Sequence, residues 1–126
     1  MTNSKLNGGK LSDILAELKS EYRQNFPKKV GQLRELTTQQ NWLQLTQEFH
    51  KLKGTGRTYG FPEVSLLCEA LEVYCLQGSV DATQIEKIFP VFARMQQAWE
   101  DGEPFNLQQD PEAHLLLALK GRTAFP

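Results

Sequence analysis

The stretch 49-FHKLKGTGRTYG-60, continued as 61-FPEVSLLCEALE-72, reads as two successive helices and settles the fold class. At ~100° per residue, Phe49, Leu52, Gly56 and Tyr59 share one face of the first helix. His50, Lys53, Gly54 and Arg57, at spacings of three, four and seven, form a neighbouring stripe turned away from that face. Because the apolar register resumes at Tyr59, the helix is expected to run on to about Gly60. Pro62 then suits a first helical position. Val64, Leu67, Cys68, Leu71 and Cys75 make the core face of the next helix, which Gly78 stops.

Outward from this pair the same period recurs. Leu11, Ile14, Leu15, Leu18, Tyr22 and Phe26 mark one stripe expected to be buried, with Pro27 kinking or restarting the helix. Val30, Leu33 and Leu36 carry the stripe to Thr37, and Thr38 to Asn41 is a break with capping residues. Leu45 continues the Phe49 face backwards. Asp81 with Gln84 resembles a capping box ahead of Ile85, Ile88, Phe89, Phe92, Met95 and Trp99, and Pro90 should bend that helix. No segment alternates as a strand does. Short connections favour antiparallel neighbours. The expectation is an all-α, antiparallel up-and-down four-helix bundle over residues 11–101, with an extra N-terminal helix or a kinked first helix. Residues 1–10 read as a flexible leader. Residues 102–126 form a C-terminal extension whose placement the pattern leaves open, with spacing for one short helix over Glu112 to Lys120.

A chain of 126 residues suits one domain. No run approaches the ~18 apolar residues of a membrane span, and Met1 to Lys10 lacks the features of a signal peptide. The expectation is a cytoplasmic protein without membrane contact. With 14 basic and 15 acidic residues, the net charge of −1 offers no footprint for nucleic acid. Cys68 and Cys75, seven apart on one helix, would lie roughly 10 Å apart along its axis, too far for a disulfide. His50, His114 and the cysteines have no metal-ligand spacing, so no metal or cofactor of the chain's own is expected.

The stripe around His50 breaks a local rule. Glycine inside a helix costs roughly 1 kcal/mol relative to alanine, yet Gly54 and Gly56 both fall inside the pattern. Either the helix stops at Gly54, with Lys51 and Lys53 as last-turn cations, or the missing side chains admit something large beside His50. An imidazole near the reference pKa of ~6.5 is mostly neutral at pH 7 and nucleophilic. Attack on a phosphoryl group would leave a phosphoramidate whose charge Lys53 and Arg57 could offset. Phosphoryl transfer asks for positioning and charge neutralisation more than covalent machinery. The competing reading makes His50 a half-buried histidine satisfied by a carbonyl, and Lys51, Lys53 and Arg57 a solvated face.

These residues resemble a known signature. His50-Lys51-Leu52-Lys53-Gly54, then Gly60, Val64, Cys68 and Leu71-Glu72, is similar to the pattern of histidine phosphotransfer (HPt) domains. The histidine-containing P1 domain of chemotaxis kinases is especially similar, through Tyr59-Gly60-Phe61. Val64 stands where leucine is commoner. The resemblance implies that His50 is phosphorylated, that Lys53 stabilises the phosphoryl group and that Gly54 clears its approach. It also implies that Gly60 ends the helix tightly and that Glu72 binds the imidazole. If Glu72 accepts from Nδ1–H, it leaves Nε2 free to attack. The function implied is a phosphoprotein of a two-component phosphorelay, carrying a phosphoryl group between a histidine kinase or receiver aspartate and another receiver. Response-regulator receiver domains and a kinase are then the partners, and any Mg²⁺ comes with the receiver's acidic pocket. No Walker-type loop is present, so ATP binding is not expected. The chain is expected to act as a monomer. Two alternatives are a non-catalytic module that docks on receivers and an excised P1-like domain of a larger kinase.

Overall fold

A computed structural model of the chain describes residues 10–122; the leader lies almost wholly outside the described residues, as does the end of the extension. Helix α1 spans Leu11–Thr38, α2 Trp42–Tyr59, α3 Pro62–Leu76, α4 Ala82–Glu86, α5 Ile88–Glu100 and α6 Pro111–Leu117, with 3-10 turns at Leu107–Gln109 and Ala118–Arg122. No strand occurs among the described residues. The chain is all-α, and consecutive long helices pack antiparallel. Tyr22 of α1 meets Tyr59 of α2, Gly56 of α2 meets Ser65 of α3, and Phe26 and Arg34 of α1 meet Trp99 and Phe89 of α5.

The turns explain why these helices end where they do. Gln40 takes a left-handed φ of 54°, and the Asn41 side chain then caps α2 by accepting from the Gln44 backbone N–H at 3.3 Å. Gly60, at φ 86°, closes α2 in a Schellman arrangement: the Phe61 N–H donates to the Gly56 carbonyl and the Gly60 N–H to that of Arg57. A side chain at Gly60 would be strained there. Pro62 opens α3 in its first turn, where its missing N–H is not needed.

Several expectations are corrected. Pro27 neither restarts α1 nor adds a helix, since Leu11–Thr38 is one continuous element. Pro27 lies on the exposed face, where the carbonyl it orphans one turn back can be solvated. Leu11, Ile14, Leu15 and Leu18 are exposed rather than buried. The reason is length: Lys19 and Tyr22 are already level with Gly60 and Phe61, so the turns before them project past the end of the bundle. Pro90 does not bend a long helix. The chain breaks at Lys87 and restarts at Ile88, which puts Pro90 in a first turn. Asp81 caps α4 through the Thr83 N–H at 2.9 Å, while Gln84 accepts from Lys87 instead of closing a capping box.

The extension packs on the bundle. Leu107, Ala113, Leu116 and Leu119 are buried in the common core, against α3 and α5. Arg94 of α5 clamps the segment, donating from Nε and Nη2 to the two oxygens of Asp110 at 2.7 and 2.8 Å, and to Glu112 at 2.9 Å. Asp110 also caps α6 through the Ala113 N–H. Arg94→Ala would strand a buried carboxylate, and a lost charge-assisted pair of this kind costs about 2–3 kcal/mol. The expected result is faster amide exchange across α6 than across α2 and α3; uniform protection would mean that the clamp holds nothing.

Candidate functional site

The centre of the site is one carboxylate between two donors. Glu72, on the face of α3 turned towards α2, has a side chain only 13% exposed. Its Oε2 lies 2.7 Å from Nδ1 of His50, and its Oε1 accepts from Lys53 Nζ at 2.8 Å. A carboxylate accepts only, so the short Nδ1 contact requires the proton on Nδ1 and leaves Nε2 as the outward nitrogen. The His50 side chain is 66% exposed, on the outer stripe of α2. Pairing sets this register: α2 and α3 run antiparallel from the Gly60–Phe61 turn, which brings His50 and Glu72 level although they are 22 residues apart.

Burial would push the Glu72 carboxyl up, but hydrogen bonds and charge from Lys53 and His50 outweigh it and hold the group below the ordinary value of 4.5. A carboxyl lowered by folding adds stability above that ordinary value, and the contribution disappears as pH falls through the lowered one. Carboxyl-carbon NMR should therefore place the Glu72 midpoint below 4.5, and Lys53→Ala should move it up. A midpoint indifferent to Lys53→Ala would remove the ammonium as its partner.

The two glycines that broke the helix rule separate here. Both lie inside an unbroken α2, so the helix does not stop at Gly54. A Cβ at Gly54 would meet nothing within 4 Å, on the exposed stripe one turn beyond His50. A Cβ at Gly56 would sit 2.8 Å from Ser65 Oγ and 3.0 Å from both the Phe61 carbonyl and the Ser65 nitrogen. Gly56 is a helix-contact residue; Gly54 is bare surface. Ser65 was not singled out from the sequence. It is buried and donates to the Lys53 carbonyl at 2.6 Å, tying α3 to the backbone that carries Lys53. A serine on a helix face gives no signal of that partner.

Of the other candidate residues, Lys51 pairs with Glu48 at 3.2 Å, one turn back on its own helix. Arg57 is exposed on the His50 stripe, two turns on. Gly60 lies at the end of α2 and shapes the turn. Thr46, Gln47, His50, Lys51 and Glu72 line a shallow open depression around the imidazole. His114 is remote in sequence and hydrogen-bonds Gln108. Cys68 and Cys75 are buried free thiols, both pushed up by burial. No helix among the described residues is long and apolar enough to cross a membrane.

Neither a curated protein nor a solved structure matches the chain. A family model, the Hpt domain, matches residues 17–101, which are 85 of the 126 and run from α1 to just past α5. The matched span contains His50, Lys53, Gly54 and Glu72 together. With most of its length matched and an exposed imidazole held by a carboxylate on the neighbouring helix, the chain belongs to the Hpt domain family, the histidine phosphotransfer domains of two-component signalling.

Proposed function

We propose that Nε2 of His50 is the phosphoryl carrier, loaded from a histidine kinase or a receiver-domain aspartyl phosphate and discharged to another receiver aspartate. The observation that carries this reading is the 2.7 Å contact of Glu72 with Nδ1, which turns the other ring nitrogen outward. In the loading step the Nε2 lone pair attacks phosphorus and the P–O bond to the aspartate breaks, leaving a free carboxylate on the receiver. The Nδ1 proton stays in place. The ring therefore gains positive charge as the N–P bond forms, and the Glu72 carboxylate stabilises that charge. Lys53, now on Glu72, is near enough to swing towards the phosphoryl oxygens. Gly54 leaves the approach open, and Arg57 adds positive charge further along. Any Mg²⁺ belongs to the receiver's acidic pocket.

Incubation with a phosphorylated receiver domain tests the proposal. The chain should acquire one acid-labile, base-stable phosphate, and peptide mapping should place it on His50. Label on a serine, or binding of the receiver without label, would end this reading. Lys53→Ala should keep the fold and slow uptake by about 10- to 100-fold, in line with the loss of one charge-assisted contact to the transferring group. Rapid-quench initial rates measure it. An unaltered rate would return Lys53 to a structural partner of Glu72.

A further inference from the structure

Towards its N-terminal end, α1 carries an apolar stripe that the other described residues leave largely uncovered. Leu11 is 55% exposed, Ile14 42%, Leu15 54% and Leu18 37%. Leu11, Leu15, Leu18 and Tyr22 are spaced four, three and four, the repeat of a two-helix seam, while Asp13, Glu17 and Ser20 occupy the opposite face. We propose that this stripe is a homodimer interface, covered by α1 of a second copy lying antiparallel to it.

The stripe is complementary to itself. In an antiparallel register that sets Leu15 against Leu18 of the second copy, the two-fold axis sets Leu18 against its Leu15, Leu11 against its Tyr22 and Tyr22 against its Leu11. The two central layers are then leucine on leucine, and in the outer two Leu11 meets the uncovered part of Tyr22, whose ring also stacks on Phe61 of its own chain at 4.8 Å. Leu11 of the second copy arrives at the mouth of the cleft between α1 and α2 that Leu18, Tyr22, Phe26, Leu52 and Tyr59 line. The four exposed side chains present on the order of 300 Å² of apolar surface, at the upper end of what monomers leave uncovered. Covering both stripes buries about 600 Å² of apolar surface in total, the scale of a weak, transient contact and not of a permanent interface. The dimer is therefore weak and reversible.

The seam does not compete with phosphotransfer. Leu52, Thr55 and Tyr59 line the α1 side of α2. At ~100° per residue they stand about 140–200° around that helix from His50. Both imidazoles of the dimer stay open to receivers.

Sedimentation equilibrium of the full chain, from about 5 to 500 μM, should show a mass rising from 14.4 kDa towards twice that value. Leu15→Glu with Leu18→Glu should hold the protein monomeric throughout. It should also stay helical and leave the rate of phosphoryl uptake unchanged, because neither side chain is part of the His50–Glu72–Lys53 cluster. A wild type that stays monomeric at the highest concentration overturns the proposal. So does a dimer that survives the double substitution.

Discussion

His50→Gln should take up no phosphoryl group from a phosphorylated receiver, a fall of at least ~10³-fold, while binding that receiver and melting as the wild type does. Glutamine is the informative replacement because its amide can still reach Glu72, so the Glu72–Lys53 pair keeps its neighbour. An amide nitrogen has its lone pair delocalised into the carbonyl and is no nucleophile. The His50 side chain is 66% exposed and buries little on folding, so stability should change by less than about 0.5 kcal/mol. Loss of label with the fold retained identifies His50 as the acceptor residue. Glu72→Gln makes the graded comparison. It keeps an acceptor for Nδ1 but removes the charge that opposes the developing positive ring, so uptake should slow by about 10²-fold without stopping. Equal labelling of wild type and His50→Gln would sink the proposed carrier.

How far the sequence carried depended on whether a feature was periodic or required a partner. The helical period located α2 and α3 because each must bury one face, and Phe49, Leu52, Gly56, Val64, Leu67 and Leu71 are all buried. The same period misled at Leu11 to Leu18, where apolar spacing persists but the bundle has run out beneath it. Periodicity reports which face is apolar, not what lies opposite. His50 and Glu72 stand 22 residues apart, and their meeting was legible only through the family resemblance, since it depends on a turn at Gly60 that fixes the register of two helices. Arg94 gave no signal at all. It belongs to no motif, and its partners Asp110 and Glu112 lie in a segment whose own pattern is too short to place. Pro90 carried a true signal of interruption read with the wrong outcome, because a proline ends one helix or begins another according to what packs beside it.

Gly56→Val should destabilise the domain by about 3 kcal/mol or more, whereas Gly54→Ala should stabilise it by about 1 kcal/mol. Sequence alone assigns these positions the same helix penalty; the structure gives them opposite signs. At Gly54 a methyl group meets nothing within 4 Å, so only the propensity gain of alanine is left. At Gly56 the first added carbon already stands 2.8 Å from Ser65 Oγ and 3.0 Å from two backbone atoms at the start of α3. A serine hydroxyl could rotate away, but that would give up its bond to the Lys53 carbonyl, and the backbone atoms cannot move unless α3 shifts. Gly56→Ala should therefore lose about 1–2 kcal/mol despite alanine's propensity, and the β-branch of valine deepens the clash. In melting temperature the two alanine variants should diverge by roughly 8–12 °C for a domain of this size. Function should divide the other way. Gly54→Ala should transfer nearly as the wild type does, but Gly54→Phe should fold and block the approach to Nε2. A Gly56→Ala protein as stable as Gly54→Ala would mean that α2 and α3 do not approach so closely there, and the register that sets Glu72 beside His50 would have to be redrawn.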